Sequence, residues 1–85
     1  MTETFKNKTI WIIGASEGLG KSLAEQLAAN GAQCILSARN QIKLEEVAQH
    51  IPNSTIAPLD VTDPISIQNA FDQIGPVDGI VYNAG

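Results

Sequence analysis

Gly14, Gly18 and Gly20 stand within one short stretch, and the chemistry they permit is the binding of a phosphate by backbone amides. They follow the apolar run Ile10-Trp11-Ile12-Ile13 and precede Lys21 to Asn30. The segment therefore reads as a buried strand, a glycine-rich turn and a helix start. The first amides of a helix have no intrahelical partner and carry the positive end of its macrodipole. Glycines let such a backbone come close to a phosphate. The segment predicts a nucleotide or dinucleotide ligand.

The same loop can be spelled in three ways. Gly14, Gly18 and Gly20 form Gly-x-x-x-Gly-x-Gly, which differs from the Gly-x-Gly-x-x-Gly dinucleotide fingerprint because Leu23 stands where its last glycine would fall. The fingerprint's jobs can still be filled: Gly14 for the tight exit from the strand, Gly18 for close approach to a pyrophosphate, Gly20 for tight packing of helix on sheet. Ala15-x-x-x-x-Gly20-Lys21-Ser22 is a near miss for a P-loop, with Lys21 on the β/γ-phosphates and Ser22 on Mg²⁺. Gly14-x-Ser16-x-Gly18 spells a nucleophile elbow, which needs an acid and then a histidine downstream. The only histidine is His50, no Asp lies between it and Ser16, and too few residues precede the loop to build an oxyanion strand.

Further along, Ser37-Ala38-Arg39 ends a second apolar run. A dinucleotide site that prefers NAD places a carboxylate there to take the ribose 2′-hydroxyl. Here Ala38 occupies the place and Arg39 follows it. A guanidinium can hold a phosphate with two parallel bonds and stack on an adenine, which favours NADP; the plain alternative is a solvated arginine at a strand end. Glu17 opposes this if its side chain faces the 2′-phosphate and matters little if it faces solvent. Asp60 is either a turn residue or a neighbour of the adenine, and Asn83 is either a turn residue or part of the ligand crevice. His50 suits a helix C-terminus. Cys34 reads as a small buried strand residue.

These residues need a scaffold. Strands are expected at Thr9–Ile13, Gln33–Ala38, Ser54–Leu59 and Asp78–Tyr82, and helices at Gly18–Asn30, Gln41–His50 and Pro64 to about Gln73. The first helix presents the stripe Leu19/Leu23/Leu27 with Ala24 and Ala28, expected as core, and Trp11 and Phe71 are expected as core too. The second turns Leu44, Val47, Ala48 and Ile51 inward, and the third Ile67, Ala70, Phe71 and Ile74. Asn40 and Asp63-Pro64 are helix starts, and Gly31 and Gly75-Pro76 are ends. The alternation predicts an α/β, doubly wound parallel sheet of order 3-2-1-4, with the first two helices on one face and the third on the other. Pro58 fits the edge position of the third strand.

Composition narrows the partners. With 44% hydrophobic residues the chain is globular, and its formal charge of −4 argues against nucleic acid. No apolar run is long enough for a membrane span, and the first residues lack the apolar core of a signal peptide. A lone cysteine offers no intramolecular disulfide or cysteine-based metal cluster and fits a reducing cytoplasm.

Taken together, Gly14-Ala15-Ser16-Glu17-Gly18-Leu19-Gly20, Ser37-Ala38-Arg39, Asp60-Val61 and Asn83-Ala84-Gly85 resemble the short-chain dehydrogenase/reductase family over nearly the whole chain. The resemblance implies a Rossmann-type fold and an NADP cofactor, with NAD as the variant. It implies that Gly14, Ser16, Gly18, Leu19 and Gly20 line the pyrophosphate, with Glu17 in the same loop. It makes Arg39 a 2′-phosphate ligand, puts Asp60 and Val61 at the adenine, and sets Asn83, Ala84 and Gly85 beside the cofactor. The departures are Ile13 where the family often has Thr and Glu17 where its NADP enzymes often carry a basic residue. The family's catalytic Ser and Tyr-x-x-x-Lys have no counterpart here: the only tyrosine is Tyr82, and no lysine follows Lys43. The expectation is that residues 1–85 are the dinucleotide-binding part of a longer reductase that acts on a carbonyl or alcohol and is a homo-oligomer when full-length. A non-catalytic NAD(P)-binding sensor is the alternative, and a P-loop protein a more distant one.

Overall fold

Short apolar runs alternating with amphipathic segments bury their surface best as a parallel sheet with helices on both faces. The computed structural model describes residues 5–16 and 18–83. In chain order the elements are β1 (Thr9–Ile13), α1 (Gly18–Ala29), β2 (Gln33–Ser37), α2 (Gln41–Gln49), β3 (Ser54–Ile56), α3 (Pro64–Ile74) and β4 (Gly79–Tyr82). All three strand pairings are parallel, and the order is β3-β2-β1-β4, as the alternation predicts. No helix among the described residues is long and apolar enough to cross a membrane.

Successive strand residues serve opposite cores, as the pleat requires. Ile10 and Ile12 of β1 join Cys34 and Leu36 of β2 under α1 and α2, where Ala24, Leu44, Val47 and Ile51 complete a buried cluster. Trp11 points the other way, into a smaller cluster with Leu59 and Ala70, flanked by Ile13, Ile35, Ile67, Ile74 and Val77. The inward positions expected on α2 are therefore those observed. The Cys34 thiol sits in the larger cluster, and burial pushes its pKa up.

Three expectations need correction. Leu19 is 75% exposed, because at the start of α1 it is Gly20 that seats against the β1–α1 turn; the buried positions of α1 are Gly20 and Ala24, with Leu23 and Leu27 half-buried. Phe71 is 50% exposed, since α3 alone covers its face of the sheet and leaves its flank open, although its ring meets Trp11 edge-on at 4.9 Å. β3 ends at Ile56 rather than Leu59. Beyond it the Ala57 and Leu59 amides still donate to Leu36 and Ala38 carbonyls at 2.9 and 3.1 Å. Pro58, between them, has no amide to offer and lies on the outer edge, where none is needed.

Side-chain hydrogen bonds join β1 to β2 and shape the chain before α3. Trp11 Nε1, buried in the smaller cluster, donates to Ser37 Oγ at 2.7 Å across the β1–β2 pair. After Leu59 the chain turns on Asp60, whose Oδ1 accepts from the Thr62 amide at 2.9 Å and the Thr62 hydroxyl at 2.6 Å. Asp63 then caps α3 by accepting from the Ile65 amide at 3.0 Å, with Pro64 in the first turn. The Thr62 hydroxyl and then its amide hold the Asp60 carboxyl below its ordinary 3.8; slight desolvation opposes them and the charge of Arg39 adds to them.

Replacing Ser37 by Ala strands the Trp11 indole N–H without a partner, and a loss of about 1–3 kcal/mol in urea-unfolding free energy is expected. Asp60 supplies an acid-side prediction. A carboxyl with a depressed folded pKa stabilises fully above its unfolded pKa and loses that contribution as pH falls through the folded value. Thermal midpoints of Asp60→Asn should therefore lie below wild type near neutrality, and the gap should close as the pH drops below 3.8. A gap that stays constant with pH would contradict the turn's role.

Candidate functional site

β1 and β4 are neighbours, and the chain leaves β1 toward α1 on one face while α3 covers the other. A doubly wound sheet opens a crevice at such a point, beyond the strands' C-terminal ends. The turn after β1 is pinned there. The Gly14 and Ala15 amides both donate to the Ser37 carbonyl, at 2.7 and 3.1 Å. From the other side the Asn83 amide donates to the Ile13 carbonyl at 2.8 Å, and Asn83 Nδ2 reaches the Gly14 carbonyl at 3.4 Å.

Gly14 has φ +89°, and a Cβ there would run into the Asn83 carbonyl oxygen, so this position admits glycine alone. A Cβ on Gly20 would run into the Gly14 carbonyl oxygen, so the start of α1 rests directly on the turn. Gly20 is buried and serves packing; its neighbour Gly18 is the open one. Gly18 has φ +64°, and nothing lies within 4 Å of where its Cβ would be. The shoulder of the loop is thus bare backbone beside the unpaired amides of a helix start, the arrangement that suits an anion.

Gly14, Ser16, Arg39, Asp60, Val61 and Asn83 line one cleft of about 290 Å³. Four sequence segments far apart in the chain are therefore brought together. Gly18, the exposed Leu19 and the buried Gly20 begin α1 and are not among its lining residues, and Glu17, Ala84 and Gly85 lie outside the described residues. Sequence reasoning did not single out Leu59, Thr62 and Tyr82 as ligand neighbours, and these line the cleft together with Ile13 and with Ala38, which the sequence placed at the ribose position. Ala38 and Leu59 carried a signal in their place at the ends of β2 and the β3 segment. Tyr82 carried one through its register, since it pairs with Ile13 beside the loop. Ala38, Leu59 and Val61 give the cleft an apolar wall suited to a flat ring, while Arg39 and Asp60 bring opposite charges to its rim. A second cavity of about 300 Å³ lies among β2, β3 and the end of α3; its lining holds no charged side chain and no part of the loop, so it offers nothing for a phosphate.

The model of the short chain dehydrogenase family matches residues 8–85. An uncharacterized oxidoreductase of Listeria monocytogenes is 41% identical over 90 residues, covering 96% of this chain and 36% of its own. The 3-oxoacyl-(acyl-carrier-protein) reductase of Escherichia coli is 37% identical over 86 residues, covering 95% of this chain and 35% of its own. The crystal structure of a short chain dehydrogenase from Salmonella enterica superposes with a TM-score of 0.91 at 32% identity, over all of this chain and 40% of that one. The chain spans about a third of the length of these curated relatives. The match to this family disfavours the P-loop and elbow spellings of the loop. A match that runs from residue 8 to residue 85, on a sheet whose crevice opens at the glycine turn, means that this chain belongs to the short chain dehydrogenase family.

Proposed function

We propose that the protein is an NADP-dependent oxidoreductase that moves a hydride between its cofactor and a carbonyl or alcohol, and that residues 1–85 are its dinucleotide-binding part. The observation that carries this reading is Arg39 at the rim of the cleft, directly after Ala38, with no carboxylate at the end of β2. A guanidinium there offers two charge-assisted bonds to a 2′-phosphate, each worth roughly 1.5–3 kcal/mol when made to a charged group. Solvent screening lowers that at an exposed site, yet the sum still favours the phosphorylated ribose over the bare one.

The residues fit a dinucleotide. Gly14, Ser16, Gly18 and Leu19 would hold the pyrophosphate at the helix start, Asp60 and Val61 would bound the adenine, and Asn83, with Ala84 and Gly85 after it, would stand beside the nicotinamide half. The cofactor, when bound, supplies the hydride chemistry. This chain's residues bind and orient it: Gly14 fixes the turn, Asn83 ties the turn to β4, and Arg39 selects the ribose phosphate. Proton transfer to the substrate falls to a Ser and a Tyr-Lys pair expected in the remainder of the protein. The Escherichia coli relative, named for its action on an acyl-carrier-protein substrate, supports a carbonyl as the group reduced. The buried, solitary Cys34 supports a reducing compartment such as the cytoplasm.

In the full-length protein, Arg39→Ala should weaken NADPH at least tenfold while changing NADH by less than about threefold, measured by fluorescence titration. Equal losses would remove Arg39 from the 2′-phosphate. Gly18→Ala tests the pyrophosphate. An alanine at that positive φ costs about 1–2 kcal/mol of stability, so the fold should survive. The added methyl stands where a phosphate would approach, so affinity for both cofactors should fall together. Unchanged affinity for both would exclude Gly18 from the site.

A further inference from the structure

Asn30 and Gly31 follow α1 directly and form the only asparagine–glycine pair in residues 1–85. The amide carbon of an asparagine side chain is an electrophile for the backbone nitrogen that follows it, and glycine hinders the approach least because it has no Cβ. The Gly31 nitrogen, once its proton has gone to hydroxide, attacks Cγ of Asn30. The bond from Cγ to Nδ2 breaks, ammonia leaves, and a five-membered succinimide closes. Water then opens the ring at one carbonyl or the other, which leaves aspartate or isoaspartate. One water is consumed and one ammonia released, with no oxidant or reductant.

Both reacting groups are engaged in the fold. The Gly31 amide, the nucleophile, donates to the Ala28 carbonyl at 3.0 Å. Asn30 Nδ2, the leaving group, donates to the Gln26 carbonyl at 2.8 Å. The Asn30 amide donates to the Gln26 and Leu27 carbonyls at 3.2 and 3.1 Å, and Gly31 has φ +96°, the left-handed turn that ends a helix. The Asn30 carbonyl accepts from the Phe5 amide at 2.8 Å, a bond that comes from outside the helix. Residues 5–8 form a turn closed by the Lys8 amide on the Phe5 carbonyl at 2.9 Å, and the Phe5 side chain packs against the larger core cluster. This turn pins the end of α1 to the body of the chain. Solvent is close by: a groove of about 400 Å³, lined by Lys6, Asn7, Lys8, Gly31, Gln33 and Asn53, reaches the same place.

We infer that Asn30 is a deamidation site gated by the turn at residues 5–8. While Phe5 is seated, nucleophile and leaving group stay in their helix-end bonds and the pair reacts slowly. When the turn lifts and the end of α1 frays, the pair is released and the ring closes. The product does not return to the same seat. A carboxylate oxygen in place of Nδ2 faces the Gln26 carbonyl, acceptor against acceptor, and sets a negative charge at the negative end of the helix macrodipole. Isoaspartate also adds a methylene to the main chain between α1 and β2. The modification is thus an irreversible record of openings at the base of the helix whose start carries the glycine turn.

The test incubates the full-length protein in mildly alkaline buffer, folded and in guanidinium chloride. The tryptic peptide from Ser22 to Arg39 contains Asn30 and no other asparagine, so its conversion from amide to acid, placed by fragmentation, reads the rate. The denatured rate should exceed the folded rate at least about tenfold, because the folded protein reacts only through its open fraction. Phe5→Ala, measured where circular dichroism shows it folded, should raise the folded rate about fivefold and leave the denatured rate unchanged. Hydrogen exchange on wild type tests the gate without a substitution: the Phe5 and Gly31 amides should show protection within about threefold of each other. The inference is overturned if folded and denatured wild type react equally fast, if Phe5→Ala leaves the folded rate unchanged, or if the Gly31 amide is far better protected than that of Phe5. It is also overturned if another asparagine of residues 1–85 converts faster than Asn30 in denaturant.

Discussion

The structure depends on how closely three backbones meet at the end of β1. The Gly14 and Ala15 amides hang on the Ser37 carbonyl, the Asn83 side chain reaches the Gly14 carbonyl, and Gly20 presses α1 onto the same peptide. No side chain heavier than hydrogen fits at Gly14 or Gly20, so the turn has no slack. A main-chain anion site acts only if its amides are fixed before the ligand arrives, because any ordering done on binding subtracts from affinity. Here packing does that ordering in advance: the sheet holds one end of the turn and the helix the other.

That junction also explains why the loop's glycines are not interchangeable. Gly14 is required by its positive φ and by the Asn83 carbonyl, and Gly20 by the Gly14 carbonyl. Gly18 meets no neighbour, and only its positive φ calls for glycine. Two of the positions thus answer to close packing and one to backbone conformation alone. The spacing Gly-x-x-x-Gly-x-Gly carries both constraints at once, which is why it is more informative than its individual letters.

Most of the fold was legible because strand and helix patterns agree with their packing. The alternation of Ile10 and Ile12 against Trp11 places each on its own face, and the α2 stripe of Leu44, Val47 and Ile51 is buried as its period predicts. What the pattern could not show was where the sheet stops. Leu19 continues the helical stripe in sequence, but at the start of α1 it is Gly20 that seats against the chain, and the Leu19 side chain meets water. Phe71 fails for a related reason, since periodicity tells which way a residue faces and not how many helices share that face. Of the cleft, the parts bearing charge or glycine could be read directly. Leu59 and Tyr82 could not, because an apolar residue at a strand end looks the same in sequence whether it faces a core or a ligand.

Trp11 is the chain's only indole, it is 1% exposed, and its N–H is bonded to the residue whose carbonyl holds the glycine turn. Within residues 1–85, ultraviolet emission at long wavelength therefore has a single origin, linked through Ser37 to the glycine turn by two hydrogen bonds. Loosening of Ser37 would let water reach that ring and shift its spectrum to the red. Residues 1–85 thus carry an optical gauge of whether the loop is held, with no label attached.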